Sequence, residues 1–386
     1  MKKHSNVLYS ILFEIAILAV FIVFLKIESL ILNLIFLVVV AVGTYLLLKK
    51  TTIMAKLRAG SQTKGAVLFP LVVLTLIVPF FFLENIYIVH VLTLALIFAI
   101  AVLGLNFQIG SAGMVNFAQG TLMGIGAYTS ALLCTHFGVS FWVGLLAAIA
   151  VSAFFGLILG LPTLKTKEYH LSLVTIAFAY VGYLLILNMS WTGGPDGIAG
   201  IPKPKIFGFS LVNSLKIGGI VISGTILYYY LVIVFLGIGI ILARRIHYSW
   251  LGITWNAIRD DDIAAQCYGI RPTPYKLLSF VLGSIFAGVA GVLYAHFVGF
   301  ISTESMAFSI DLLLVSMVIL GGMDNIYGVM IGAFLLILIP EKFRSFEDFR
   351  LLFYGIVLVL MLIFRPQGLF PKRVRIYDIE RGKHGN

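Results

Sequence analysis

The sequence predicts an all-α membrane protein, a polytopic bundle of about 10–12 transmembrane helices. Hydrophobic residues make up 61% of its 386 residues and charged residues only 11%, against about 25% charged in a soluble domain. Apolar runs of about 18 residues or more recur along the chain, and this length crosses the hydrocarbon core of a bilayer. The runs show no alternation of apolar and polar residues, which membrane strands require.

The apolar runs divide the chain into three predicted regions. Residues 1–65 form an N-terminal transmembrane hairpin with a basic linker, 66–370 the transmembrane core and 371–386 a cytoplasmic tail. In order, the runs lie near 7–25, 27–48, 66–83, 86–107, 113–135, 139–161, 169–189, 217–243, 277–299, 306–322, 326–340 and 351–365. The runs at 306–322 and 326–340 are short and joined by Gly-Gly-Met-Asp-Asn, so they form two half-helices or one broken helix.

The distribution of positive charge predicts the orientation in the membrane. The chain has a formal net charge of +11 and contains 27 lysine and arginine residues. With the N-terminus inside and every run counted as one crossing, most of these residues fall in cytoplasmic loops, as the positive-inside rule requires. This clustering explains the basic charge without nucleic acid as a partner, and it places both termini in the cytoplasm.

Residues 251–276 interrupt the apolar runs with a charged segment that the same count places in the cytoplasm. Its distinctive residues are three consecutive acids and a set of small residues: Asp260, Asp261, Asp262, Ala264, Ala265 and Gly269. Three consecutive acids exclude the segment from lipid, and small residues give a helix a face that another surface can approach closely. We therefore predict a cytoplasmic helix near 256–268 that docks onto another protein.

The sequence contains no catalytic or metal-binding motif: GxxxxGK[ST], HExxH, CxxC and GxSxG are all missing, and the histidines are scattered. We predict neither a catalytic residue nor a metal site, so any energy for moving a solute comes from an ion gradient or a separate ATPase. Ionisable residues inside a membrane often bind coupling ions. The candidates are Glu14, His90, His170 and Asp311; the alternative for each is an interfacial or locally hydrogen-bonded position.

Residues 104–128 are unusually polar and rich in glycine for a membrane segment. Their amides are Asn106, Gln108, Asn116 and Gln119. Two interpretations stay open: a tightly packed helix interface, or a polar lining for the pathway of a small uncharged or zwitterionic solute. The stretch 114–128 also shares Met-x-Asn and Ile-Gly-Ala-aromatic with 323–334, which indicates either an internal repeat or a chance similarity.

Residues 190–205 form the predicted outer loop, which contains four glycines, three prolines and one acid. Proline restricts the backbone while glycine supplies positive φ angles, so we predict an ordered, turn-rich loop. The positions singled out are Thr192, Gly193, Gly194 and Asp196. The loop either receives a partner on the outer face or acts as a lid.

Several blocks of the sequence resemble a known transporter family. The block AIRDDDIAAQCYGI resembles the coupling loop of ABC importer permeases, whose motif is Glu-Ala-Ala-x-x-x-Gly, with Ile263 at the position of the glutamate. Together with GLNFQIGSAGMVNFAQGTLMGIGAY, TGGPDGIAGIP and VILGGMDNIYGVMIGAFL, this block resembles the LivM-type permeases of branched-chain amino acid importers. The resemblance runs in order from about residue 66 to about residue 370.

The resemblance implies a permease subunit of the bacterial or archaeal inner membrane, without enzymatic activity of its own. It implies pairing with a LivH-type permease, two LivG- and LivF-type ATPases that bind ATP and magnesium, and an outer substrate-binding protein. No cofactor is expected in this chain. The acids, alanines and Gly269 of 260–269 would contact the ATPases, and the outer loop would face the binding protein. The alternatives are a urea or amide importer and, in another class, an ion-coupled secondary carrier.

Overall fold

The structure, a computed structural model, describes residue 23, residues 78–82, 85–163, 168–206, 209–211, 215–217 and 220–342, and short pieces between 352 and 370. The predicted runs at 7–25, 27–48 and 351–365 lie largely outside these residues, and the predicted tail 371–386 lies wholly outside. Of the run at 66–83, the described part is a 3-10 helix at Val78–Phe82.

The described residues are mostly helical, which confirms the all-α membrane prediction. The helices are α1 (Ile86–Asn106), α2 (Gln119–His136), α3 (Phe141–Thr163), α4 (Glu168–Asn188), α5 (Gly224–His247), α6 (Trp250–Asp260), α7 (Asp262–Cys267), α8 (Pro272–Val298), α9 (Phe308–Gly321) and α10 (Ile326–Lys342). Within the described residues, five helices are long and apolar enough to cross a membrane: α1 with the turn after it, α3, α4, α5 and α8. Two shorter apolar helices, α9 and α10, follow.

Short strands accompany the helices. They are β1 (Ile198–Ala199), β2 (Lys205–Ile206), β3 (Phe209–Ser210), β4 (Leu215–Ile217), β5 (Ile220–Ile222) and β6 (Phe300–Ile301), paired as β1 with β6, β2 with β3 and β4 with β5. The register of the first pair aligns Ile198 with Ile301. The prediction of a helix from residue 217 is therefore wrong at its start, because β-branched residues pair as β4 and β5 before α5 begins at Gly224.

The chain divides into two compact units. The smaller unit comprises Met1–Leu94, Ile206–Ile233 and Ile337–Glu347. Within it, the Tyr87 hydroxyl donates a hydrogen bond to Glu341 Oε1. The larger unit comprises Ala95–Lys205, Val234–Leu336 and Asp348–Asn386 and contains all the residues predicted for coupling, for the pathway and for the outer loop.

The core of the larger unit is built where α2 and α3 pack against α8. A Cβ on Gly126 would lie 2.5 Å from the Gly288 Cα, so a larger residue cannot be accommodated without separating the helices. Two membrane helices gain van der Waals contact when small residues let their backbones approach. The glycines of this sequence therefore set the spacing between α2 and α8.

Two breaks interrupt the apolar helices, and both differ from the simplest prediction. A π-helical turn, Phe107–Ser111, ends α1, and α2 begins only at Gln119 instead of at 113. The second break lies between α9 and α10, which are two separate short helices, in agreement with the half-helix alternative for 306–340. The two Met-x-Asn sequences lie in these breaks.

The asparagines of the two breaks make similar local bonds. Asn116 Oδ1 accepts a hydrogen bond from the Ala118 N–H at 2.8 Å. Asn325 Oδ1 accepts hydrogen bonds from the N–H groups of Tyr327 and Gly328, both at 3.1 Å. An asparagine that bonds to the backbone just ahead of it opposes continuation of the preceding helix and favours the start of the next one. This common role supports the internal-repeat interpretation.

Candidate coupling and transport sites

Residues 250–267 form two short helices, α6 and α7, so the prediction of one helix over 256–268 is wrong. Ser249 caps α6, since its hydroxyl accepts a hydrogen bond from the Leu251 N–H at 3.2 Å. Asp261 is extended and caps α7: its Oδ1 accepts from the N–H groups of Ile263 and Ala264, both at 2.9 Å. An aspartate in this position satisfies N–H groups that a helix start leaves without partners, which explains the break.

Gly269 ends α7 in a Schellman motif. The Ile270 N–H donates to the Ala265 carbonyl at 3.1 Å, and the Gly269 N–H donates to the Gln266 carbonyl at 2.9 Å. Gly269 has φ +81°, the left-handed conformation that this motif requires and that glycine adopts without strain. In the coupling motif, Ala265 and Gly269 are therefore separated by the distance along the chain that a Schellman motif requires between the last helical turn and its glycine.

The predicted coupling residues occupy different environments. Ala265 is buried in this chain and Ala264 is half-buried. Ile263 and Tyr268 are 76% and 88% exposed. In the sequence, Ile263 stands out only as a departure from a motif, and Tyr268 was not predicted. An apolar side chain next to a charged helix was a usable signal for both. The exposed surface around α7 is therefore more apolar than the three acids at 260–262 suggest.

A groove of about 540 Å³ lies beside α7, and we call it the coupling groove. It is lined by Trp250, Tyr268, Ile270, Arg271, Pro274 and Tyr275, among others. Trp250 is exposed as well. Exposed aromatic side chains beside an arginine are the composition that protein interfaces favour.

Three contacts fix α6 and α7 to the start of α8 and to the π-helical turn. Lys276 Nζ lies 2.8 Å from Asp262 Oδ2. The Trp255 indole N–H donates to the Tyr275 carbonyl at 2.7 Å, and its ring lies 5.8 Å from that of Phe107. All three predicted acids are therefore engaged within the chain: Asp260 lies 3.4 Å from Arg259 Nη2, Asp261 is a cap and Asp262 is in an ion pair.

The four amides predicted for a pathway are all buried and bonded. Asn116 Nδ2 donates to Gln108 Oε1 at 2.7 Å, and Gln108 Nε2 lies 3.4 Å from the Phe280 carbonyl. Gln119 Nε2 donates to the carbonyls of Ala101 and Gly283 at 3.0 and 3.1 Å. These bonds join α1 and α2 to α8, which agrees with the packed-interface interpretation. A role in lining the pathway stays a prediction.

Asp311 is completely buried near the start of α9. Its Oδ1 accepts a hydrogen bond from the Gly120 N–H at 2.5 Å, and the Thr121 hydroxyl lies 3.5 Å from its Oδ2. Both donors belong to the first turn of α2, where N–H groups lack partners and a negative group is favoured. The carboxylate thus serves as the N-cap that Ala118 cannot provide.

Asp324 is a second buried carboxylate, and it is not among the predicted site residues. The Ser111 hydroxyl donates to its Oδ1 at 2.7 Å, and His247 Nδ1 lies 3.2 Å from the same oxygen. Arg259 Nη1 lies 3.9 Å from its Oδ2. The Asp324 N–H donates to Asn106 Oδ1 at 2.9 Å. We call these five residues the Asp324 cluster. The sequence does carry a signal for this site, because Asp324 is an acid between two apolar runs.

The loop over 190–205, for which the sequence predicts the outer face, is ordered and rich in turns, as predicted. The Thr192 hydroxyl lies 2.9 Å from the Ile186 carbonyl and 2.7 Å from the Met189 carbonyl, and its single hydrogen caps the end of α4. Gly193 and Gly194 have positive φ angles, and Asp196 is exposed. Thr192 and Gly194 are buried, so the exposed face of the loop carries Asp196 and Trp191.

His296 ties this loop to the helices. Its Nδ1 lies 2.6 Å from the Pro202 carbonyl, so this nitrogen carries the hydrogen, and its Nε2 lies 2.8 Å from the Ser130 hydroxyl. Phe141 packs edge-on against the imidazole with ring centroids 4.9 Å apart. The loop is therefore held by α8 and α2 as well as by the pairing of β1 with β6.

Among the predicted ion-binding candidates, Glu14 lies outside the described residues, and His170 is exposed at the start of α4. In the part of the chain that the structure describes, no three histidine, cysteine, aspartate or glutamate side chains are grouped so as to hold a metal ion. Asp311 fits the alternative to ion binding, a locally hydrogen-bonded side chain.

The family model described as "Branched-chain amino acid transport system / permease component" matches residues 87–364. The chain belongs to this family. It is 37% identical over 325 residues to the high-affinity branched-chain amino acid transport system permease protein LivM of Salmonella typhimurium, covering 81% of this chain and 76% of that protein. Identity to the Escherichia coli LivM is 36% over the same coverage. No solved structure gives a significant match.

The LivH permease protein of Salmonella typhimurium is also similar, at 26% identity over 288 residues, with 72% of this chain and 92% of LivH covered. Members of this permease family are transport components and not catalytic enzymes. The chain is accordingly a multi-pass membrane permease of the branched-chain amino acid transport type. The resemblance identified from four sequence blocks is confirmed over most of the chain.

Proposed function

We propose that this permease is one transmembrane subunit of an ATP-driven importer for branched-chain or related neutral amino acids. The observation that carries the proposal is the 37% identity to LivM over 81% of the chain. Within the larger unit, the buried charges Asp311 and Asp324 are engaged by protein groups. A neutral or zwitterionic substrate suits a core of this kind, since an unpaired charge in a membrane is costly.

The partners in this proposal are a LivH-type permease, LivG- and LivF-type ATPases and an outer substrate-binding protein. Similarity to both LivM and LivH supports pairing of two related permeases. ATP and magnesium bind to the ATPases, and this chain holds no cofactor. Both termini are cytoplasmic, and the transmembrane core extends over 66–370, with 1–65 as an additional N-terminal hairpin.

The coupling groove and the exposed side chains of α7 are the proposed ATPase surface. Ile263 and Tyr268 present apolar area to a partner, and Gly269 gives α7 its defined end. The ordered outer loop, with Asp196 exposed, is the proposed surface for the binding protein. Substrate passes between the paired permeases by alternating access, which requires contacts that differ between the two states.

Reconstitution tests the function. The chain is co-purified with the four partner subunits, placed in liposomes, and assayed for uptake of labelled leucine, isoleucine, valine and urea with ATP supplied to the ATPases. We expect ATP-dependent uptake of the branched-chain amino acids. Uptake of urea alone would indicate the amide branch, and uptake driven by a proton or sodium gradient without ATP would overturn the proposal.

The variant Tyr268→Ala tests the ATPase surface. Because Tyr268 is 88% exposed, we expect normal folding but a loss of bound ATPase of about tenfold, a typical effect of an interface aromatic. Co-purified ATPase per permease is the measurement. Phe137→Ala is the matched control, since Phe137 is 76% exposed on the turn after α2. Equal ATPase recovery with both variants would contradict the assignment of this surface.

A further inference from the structure

The Asp324 cluster joins parts of the chain that are far apart in sequence. Ser111 ends the π-helical turn after α1, Asp324 lies in the break between α9 and α10, and Arg259 belongs to α6 of the cytoplasmic segment. His247 ends α5. Both helix breaks and the cytoplasmic segment therefore meet at one carboxylate.

The carboxylate is the group on which these contacts converge. Its side chain is fully buried, whereas the side chain of Arg259 is 25% exposed. Arg259 Nη1 also donates a hydrogen bond to the Gly110 carbonyl, in the same π-helical turn as Ser111. A guanidinium keeps its charge under all ordinary conditions, and an ion pair at low dielectric is stronger than one in water. Arg259 thus reaches inward from α6 and contacts both breaks.

The backbone around Asp324 favours this single arrangement. Asp324 has φ +63°, an uncommon conformation for a residue with a side chain. The Asp324 N–H is held by Asn106 Oδ1 at 2.9 Å. A Cβ on Gly110 would collide with the Asp324 backbone, so the two breaks are in direct contact. Movement of α6 cannot leave the breaks unaffected unless the contacts of Arg259 are lost.

We propose that Asp324 is a positioning residue for energy coupling, through which Arg259 transmits movement of the cytoplasmic segment to the two helix breaks. This role rests on the proposed function, since it presumes that ATPases move the segment. Removal of the link separates ATP hydrolysis from transport, because the ATPases still bind α7 while the breaks no longer follow α6.

The test uses the whole importer in liposomes and measures the number of leucine molecules moved per ATP hydrolysed. For Asp324→Asn, which keeps the size of the side chain and removes its charge, we expect this ratio to fall about tenfold, within the usual range of coupling between two sites. Complex recovery and ATP hydrolysis stay within about twofold of wild type, which a merely structural defect would not allow.

Arg259→Gln is the second variant, and it decides the matter if Asp324→Asn fails to assemble. Arg259 is itself partly exposed, and Ser111 and His247 still hold Asp324 Oδ1 in this variant. We expect a similar fall in the ratio, and in the double variant no further fall, since residues that act through one another are non-additive. Additive effects would overturn the link.

Asp311→Asn is the matched control, because Asp311 is as deeply buried but makes its described bonds to α2 instead of to the cytoplasmic segment. Its ratio should equal that of wild type in the complexes that assemble. If the wild-type importer takes up leucine and both Asp324→Asn and Arg259→Gln keep the wild-type number of leucine molecules per ATP, the role of Asp324 is overturned. The proposed function then still stands. No ATP-driven uptake by the wild-type importer contradicts the proposed function, and the role of Asp324 with it.

Discussion

Asp311 and Asp324 are both completely buried carboxylates, but different kinds of donor hold them. Asp311 accepts from the backbone of α2, a partner that cannot leave without opening the first turn of that helix. Asp324 is held by the side chains of Ser111, His247 and Arg259. Side chains change partners by rotation, whereas backbone groups do not. The first acid is thus suited to stabilising the fold and the second to transmitting movement.

The largest expected effect is that of Asp311→Leu. The change leaves the buried Gly120 N–H without an acceptor, which costs about 1–3 kcal/mol, and it removes the negative group at the start of α2, worth up to about 2 kcal/mol more. We expect a large drop in Tm in detergent and little monodisperse protein in size-exclusion chromatography. Asp311→Asn keeps an acceptor oxygen and should lose about half as much. A wild-type Tm for the leucine variant would show that the cap does not stabilise the fold.

Ser111→Ala should have an intermediate effect on stability and a clear effect on coupling. It removes the hydroxyl 2.7 Å from Asp324 Oδ1 while His247 remains, so the expected loss is about 1 kcal/mol. Leucine moved per ATP should fall as well. Ser316→Ala is the control, since that buried hydroxyl bonds the Leu312 carbonyl of its own helix. If both variants had the same ratio, the distinction between the two acids would lose its support.

Thr121→Val should have the smallest effect. Its hydroxyl lies 3.5 Å from Asp311 Oδ2, at the outer limit of a hydrogen bond. We expect a loss of no more than about 0.5 kcal/mol, measured as Tm, and unchanged transport. A loss as large as that of Asp311→Leu would mean that the hydroxyl, and not the Gly120 N–H, holds the carboxylate.

Much of the fold was predictable because membrane helices are recognised from local composition. The helices α3, α4 and α8 lie within a few residues of the predicted runs. The errors lie at 113–118, 217–223 and Asp261, where side-chain bonds or strand pairing replaced a helix that composition alone favoured. Hydropathy cannot detect such changes, since a glycine-rich apolar stretch scores alike in a helix, a turn or a strand.

The candidate sites were predictable to a smaller extent. The coupling segment was found from its charge and from the spacing of Ala265 and Gly269, which a local helix-ending motif explains. Tyr268 was missed because exposure is not a local property. Asp324 was missed because its partners are distant: Ser111 lies 213 positions away.

The sequence by itself determined that this protein is a multi-pass membrane permease of a known family, since long apolar runs and short motifs suffice for both. The tertiary structure alone decided what the buried polar residues contact. Burial makes such contacts obligatory, because an unpaired polar group in an apolar core is costly. It leaves the choice of partner to packing between distant helices. Asp311 and Asp324, alike in sequence terms, therefore differ in the role that packing assigns to each.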